Sequence, residues 1–84
     1  MKLTVIGFLS PRTEQALINA RAAAGEFEER PRVYSINDLE GIARMGRVST
    51  PTVLVNGKLK SSGHIPSVYE ITTWIEEELK ELVV

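Results

Sequence analysis

Nine residues, Ser49-Thr50-Pro51-Thr52-Val53-Leu54-Val55-Asn56-Gly57, constrain the fold of this chain more than any others. Thr52 to Val55 is a short run rich in β-branched side chains, the composition of a strand. Asn56-Gly57 is the pair preferred in a type I′ turn, because both positions require positive φ. Lys58 to Ser61 then returns as the antiparallel partner. Pro51 breaks the segment before it and restricts Thr50 to extended geometry. The second half of the chain therefore holds a β-hairpin entered through a proline turn.

Upstream, Lys2 to Phe8 is mostly apolar on both faces, as expected of a central strand. Gly7 to Pro11 turns the chain. Ser10 followed by Pro11 is a good helix start, with Ser10 as N-cap and Pro11 at the first helical position. Ala16, Leu17, Ala20, Ala23 and Ala24 form one apolar stripe before Gly25 stops the helix. Arg32 to Ile36 reads as a second strand, with Val33, Tyr34 and Ile36 as β-formers. Asn37-Asp38-Leu39-Glu40 is a capping-box variant with Asn37 in the capping position. It opens a short helix carrying Leu39, Ile42 and Ala43 that closes near Gly46.

Beyond the hairpin, Ser61 to His64 is a polar turn, and Ser67-Val68-Tyr69-Glu70 is a capping box. In the final helix Val68, Ile71, Ile75, Leu79 and Leu82 recur at spacings of three and four, with Trp74 beside them. Glu76, Glu77, Glu78 and Glu81 fall on the expected wet side. The order is β-α-β-α-β-β-α. The first two strands, joined through a helix, should run parallel, and the last two antiparallel.

The 84 residues are expected to make one domain, residues 1–84, near the small end of what folds without a disulfide or metal. Hydrophobic residues at 43% and charged residues at 25% fit an ordinary globular protein. A net charge of -1 argues against nucleic acid as a partner, which normally demands a basic excess. No apolar run approaches the ~20 residues needed to span a bilayer, so no membrane partner is expected. Met1 to Gly7 is too short for a signal-peptide core, and the expected location is cytoplasmic. The chain has no cysteine. That excludes structural disulfides, thiolate metal sites and thiol catalysis together. With one histidine, neither a metal nor a cofactor is expected.

A Thr-Pro step followed by strand, Asn-Gly and strand resembles the cis-proline segment of thioredoxin-like and glutaredoxin-like proteins. The element order is similar to the minimal thioredoxin fold over nearly the whole chain, and the closest likeness is to very small archaeal and bacterial members. The resemblance implies an α/β fold, with a four-stranded mixed sheet of order 2-1-3-4 flanked by three helices. The first and last helices would share one face. It also implies protein disulfide reduction, because members carry a Cys-x-x-Cys motif between the first strand and first helix.

Here that stretch is Ser10-Pro11-Arg12-Thr13, and the family's cysteine positions fall on Ser10 and Thr13. A thiol at a helix N-terminus feels unpaired N–H groups and the positive end of the macrodipole. Its pKa can fall from ~8.5 into the range ~3.5–7.5. A serine hydroxyl starts far too high for the same field to ionise it, and Thr13 cannot act as a resolving thiol. No catalytic residue is expected, and the chain is read as inactive in thiol–disulfide exchange.

The Thr50-Pro51 loop works through backbone instead. In the family, the residue before the cis-proline offers its N–H and C=O to an extended peptide or to glutathione, as in strand addition. Without the resemblance the bond would be read as a trans turn, since only ~5–6% of X-Pro bonds in folded proteins are cis. Ser10 by itself is an N-cap contributing ~0.5–2 kcal/mol. Its alternative role is donation to a bound thiol, as in the serine-using glutathione transferases. Those enzymes have an additional helical domain, and no base is evident near Ser10.

Arg12, Arg47 and His64 would surround the groove if the fold is as implied. The arginines and the helix N-terminus suit a carboxylate or phosphate, and otherwise are solvated surface charge. Gly63 is expected in a turn near the groove. Tyr34, Phe8, Phe27 and Trp74 read as core or edge packing. The expected site is thus Ser10, Pro11, Arg12, Thr13, Arg47, Thr50, Pro51, Gly63 and His64.

Three functions remain open. The first is a redox-inactive module that binds a peptide or protein partner. The second is a thiol–disulfide oxidoreductase whose cysteines were replaced, naturally or by design. The third is a site for glutathione or another small anion. The apolar Val83-Val84 end hints at self-association as a homodimer.

Overall fold

The computed structural model describes residues 1–46 and 49–82. Its elements are β1 (Lys2–Ile6), α1 (Pro11–Ala24), β2 (Arg32–Ile36), α2 (Leu39–Arg44), β3 (Thr52–Val55), β4 (Lys58–Ser62) and α3 (Val68–Leu82). The strands form one four-stranded sheet in the order β2-β1-β3-β4. β1 runs parallel to β2 and antiparallel to β3, and β3 and β4 are antiparallel. This is the mixed sheet that the element order implies.

β1 takes the centre because it is apolar on both faces. Leu3 and Val5 join Val53 and Val55 of β3 in a core that also contains Ala16, Leu17, Ala20 and Ala23 of α1 and Ile71 and Ile75 of α3. Both long helices therefore cover one face of the sheet. The alternate residues Thr4 and Ile6 are buried on the other face. β1 stops at Ile6 rather than reaching Phe8. The Gly7 N–H still reaches Ile36 O at 3.0 Å, but Phe8 is already half exposed. Leu82 falls outside the expected stripe as well, being 66% exposed in the last turn of α3.

The hairpin turn has φ of 51° at Asn56 and 79° at Gly57, the two positive values of a type I′ turn. Ser10, at φ −159° and ψ 163°, caps α1 by accepting the Thr13 N–H. Ser67 and Glu70 form the reciprocal capping box of α3. The Glu70 N–H donates to Ser67 Oγ at 3.0 Å, and the Ser67 N–H to Glu70 Oε1 at 3.1 Å. That backbone donor is the main reason the Glu70 carboxyl titrates below its ordinary range.

Three further sequence expectations change here. The cap of α2 is Asp38 rather than Asn37. Its carboxylate accepts the Gly41 N–H at 3.2 Å, while Asn37 turns back to Ser35 Oγ. Phe27 and Trp74 pack against the core as expected, but Phe8 and Tyr34 stand largely free, at 50% and 43% exposure. The third change is Glu78, read as wet and found only 3% exposed.

The cause of Glu78's burial is a bulge in β4. Val53 pairs with Ser61 while Leu54 pairs with Leu59, so Lys60 is an extra residue. Lys60 Nζ then donates to Glu78 at 3.0 Å, and Lys58 lies 3.4 Å from the same carboxylate while also binding Glu81. The Lys60 hydrogen bond, followed by Lys58, holds the Glu78 carboxyl below its ordinary 4.5. A depressed carboxyl contributes stability that is present above the unfolded pKa and lost as pH falls through the folded one. Acidification from neutral pH should therefore lower the urea midpoint of the native chain more than that of Glu78→Gln. Equal losses in the two proteins would contradict this ion cluster.

Candidate functional site

The junction between β1 and α1 is built on Gly7. A Cβ there would stand 2.6 Å from Thr13 Oγ1 and 3.4 Å from Thr50 Cβ. The start of α1 and the proline loop therefore close on this glycine from two sides. Thr13 is buried, at 2% exposure, and Ser10 is half-buried above it. The Ser10 hydroxyl donates to Thr13 Oγ1 and accepts the Thr13 N–H, both at 3.3 Å. It is an N-cap with its hydrogen-bonding capacity used locally. Among the described residues no base touches it.

The Thr50–Pro51 peptide bond is cis. Pro51 is buried and Thr50 is exposed. A cluster of hydroxyls anchors the loop to β3 and β4. Thr52 Oγ1 donates to Ser49 O, Ser62 Oγ donates to the same oxygen at 2.9 Å, and the Ser49 N–H donates to Ser62 Oγ at 3.1 Å. Pro51 O accepts the Gly63 N–H at 3.0 Å. Among the described residues no hydrogen bond engages the N–H or C=O of Thr50.

Gly63, at φ +86°, makes the turn that continues from β4. A Cβ at this position would meet Ser49 Cβ at 3.0 Å, so both the conformation and the close approach call for glycine. Its carbonyl accepts from Arg12 Nη2 at 2.8 Å, and farther along the same loop Pro66 O accepts from Asn19 Nδ2 at 2.9 Å. Two side chains of α1 thus hold the loop ahead of α3 against the helix.

Ser10, Pro11, Arg12, Thr13, Thr50, Pro51 and Gly63 are brought together by these contacts. His64 is turned to α3, where its Nε2 lies 3.6 Å from Glu70 Oε2. Arg47 lies outside the described residues. The sequence reading did not single out Gly7, or the Thr52 and Ser62 hydroxyls that hold the Ser49 backbone. A glycine closing an apolar strand and serines flanking a Thr-Pro step are the signals that mark them. Phe8 and Leu9, 50% and 66% exposed, add an apolar lip just before Ser10.

Among the described residues no group of three or more His, Cys, Asp or Glu is placed to hold a metal ion. None of the described helices is long and apolar enough to cross a membrane. The family model for the thioredoxin domain matches residues 1–76. The chain belongs to that family, as a member with no cysteine. Searches of curated proteins and of solved structures returned no match.

Proposed function

We propose that this chain is a binding module without thiol–disulfide activity, which takes an extended segment of a partner protein along Thr50. The observation that carries the reading is the exposed Thr50, its backbone free of hydrogen bonds to the described residues, next to a Ser49 backbone held by the Thr52 and Ser62 hydroxyls. An extended segment adds to such a backbone by main-chain hydrogen bonds, and neighbouring apolar groups supply the pockets. Glutathione or another small anion at the start of α1 has weaker support. Ser10 Oγ already occupies the Thr13 N–H, and Arg12 is committed to Gly63 O.

The test is an amide NMR titration with a generic extended peptide and, separately, with glutathione. Saturable shifts at Thr50, Gly63 and Ser10 to Thr13 with the peptide are expected. Shifts there with glutathione alone would favour the small-ligand reading, and no shifts at millimolar peptide would remove the module reading.

A further inference from the structure

The second face of the sheet is covered at one end only. α2 has six residues and seats Gly41 against Ile36, with Met45 following as its C-cap. On this face Lys2, Thr4, Tyr34, Ile36, Met45 and Leu54 line a groove of about 340 Å³. The strand residues meet because ladder partners share a face: Thr4 pairs with both Tyr34 and Leu54, and Lys2 pairs with Arg32.

The groove has an apolar floor and a charged end. Ile36, Leu54 and Met45 supply the floor. Lys2 Nζ stands 5.4 Å from the centroid of the Tyr34 ring, within cation–π distance, and Arg32 adds a second cation to the same face. No acidic residue lines the groove. Among the described residues no carboxylate pairs with Lys2 or Arg32, whereas Lys58 and Lys60 are both bound to glutamates. The volume is at the small end of the ~300–1,000 Å³ typical of ligand pockets.

An unpaired cation at the rim selects an anion, and the floor selects an apolar body of limited size. We propose that this groove binds a compact monocarboxylate, with its carboxylate on Lys2 and its apolar body over Ile36, Leu54 and Met45. The charged end of this site is separate from the Thr50 loop. Lys2 opens β1, whereas Ser10 to Thr13 follow its far end.

The experiment is an amide NMR titration of the full chain with hexanoate, and with hexanol as the neutral match. Hexanoate should give saturable shifts at Lys2, Tyr34, Met45 and Leu54 and leave Thr50 and Gly63 unmoved. Lys2→Gln should weaken hexanoate by about tenfold, the scale of one lost charge-assisted hydrogen bond. Lys2 is exposed, so this variant should keep the native unfolding midpoint. Absence of saturation at millimolar hexanoate would overturn the proposal. So would equal affinity for hexanol, or an undiminished affinity in Lys2→Gln.

Discussion

Replacing Ser10 and Thr13 together by cysteine should convert this chain into one with a reactive, oxidisable thiol pair. The scaffold for that chemistry is intact. Ser10 Oγ lies 3.3 Å from the Thr13 N–H and 3.3 Å from Thr13 Oγ1, at the start of a 14-residue helix. A sulfur at residue 10 would receive the same N–H and the same macrodipole, both of which favour the thiolate. Its pKa should fall from ~8.5 into the range ~3.5–7.5. The sulfur at residue 13 takes a buried place, which pushes its own titration upward, so it attacks a mixed disulfide at residue 10 only once it is deprotonated. Thiolate absorbance against pH, followed by a protein-disulfide reduction assay, checks both statements. The unsubstituted chain should score zero in the assay. A thiol at residue 10 titrating at or above ~8.5 would show that the helix field does not act there.

Gly7→Ala should destabilise the chain by about 1–3 kcal/mol through overpacking. The new methyl would stand 2.6 Å from Thr13 Oγ1, closer than packed atoms allow. Thr13 cannot retreat easily, being 2% exposed and hydrogen-bonded to Ser10 on one side. The urea midpoint should drop with an unchanged slope. Measured against Thr13→Ala alone, the double variant Gly7→Ala/Thr13→Ala should show little of this loss, because the clashing atoms are gone. A loss that persists unchanged without Thr13's side chain would place the strain elsewhere. Since Thr50 borders the same glycine, the single variant should also shift the Thr50 amide resonance.

What could be read from the sequence was whatever depends on neighbours along the chain. The Asn56-Gly57 turn, the Ser67–Glu70 capping box and the alanine stripe of α1 are local patterns, and each stands as read. The sheet order came from the element order and the resemblance together. The α2 cap, one residue later than read, was a local miss, and the larger misreadings came where a distant element decides. Glu78 looked solvated because a helical period shows which side is polar, not that two lysines from a bulged strand will cover it. Tyr34 looked like packing because a short α2 leaves its end of the sheet bare, and residue pattern alone does not give that coverage. In the candidate site, the Thr-Pro step and the Ser10 cap were legible. The role of Gly7 was not, since its neighbours Thr13 and Thr50 are joined only by the fold.

The central position of β1 also governs how this chain reaches its native state. During synthesis β1 and α1 emerge before β3 and α3, yet Leu3 must wait for Val55 as its ladder partner and for Ile71 and Ile75 to complete its surroundings. Only the β3–β4 hairpin can close from near neighbours, an event of ~1–10 μs in isolated hairpins. Both pairings of β1 require a long loop to close before they are rewarded. A nascent chain released short of α3 would hold a greasy central strand with nothing to cover it. Folding should accordingly be a single late, cooperative event, and not a growth from the N-terminus.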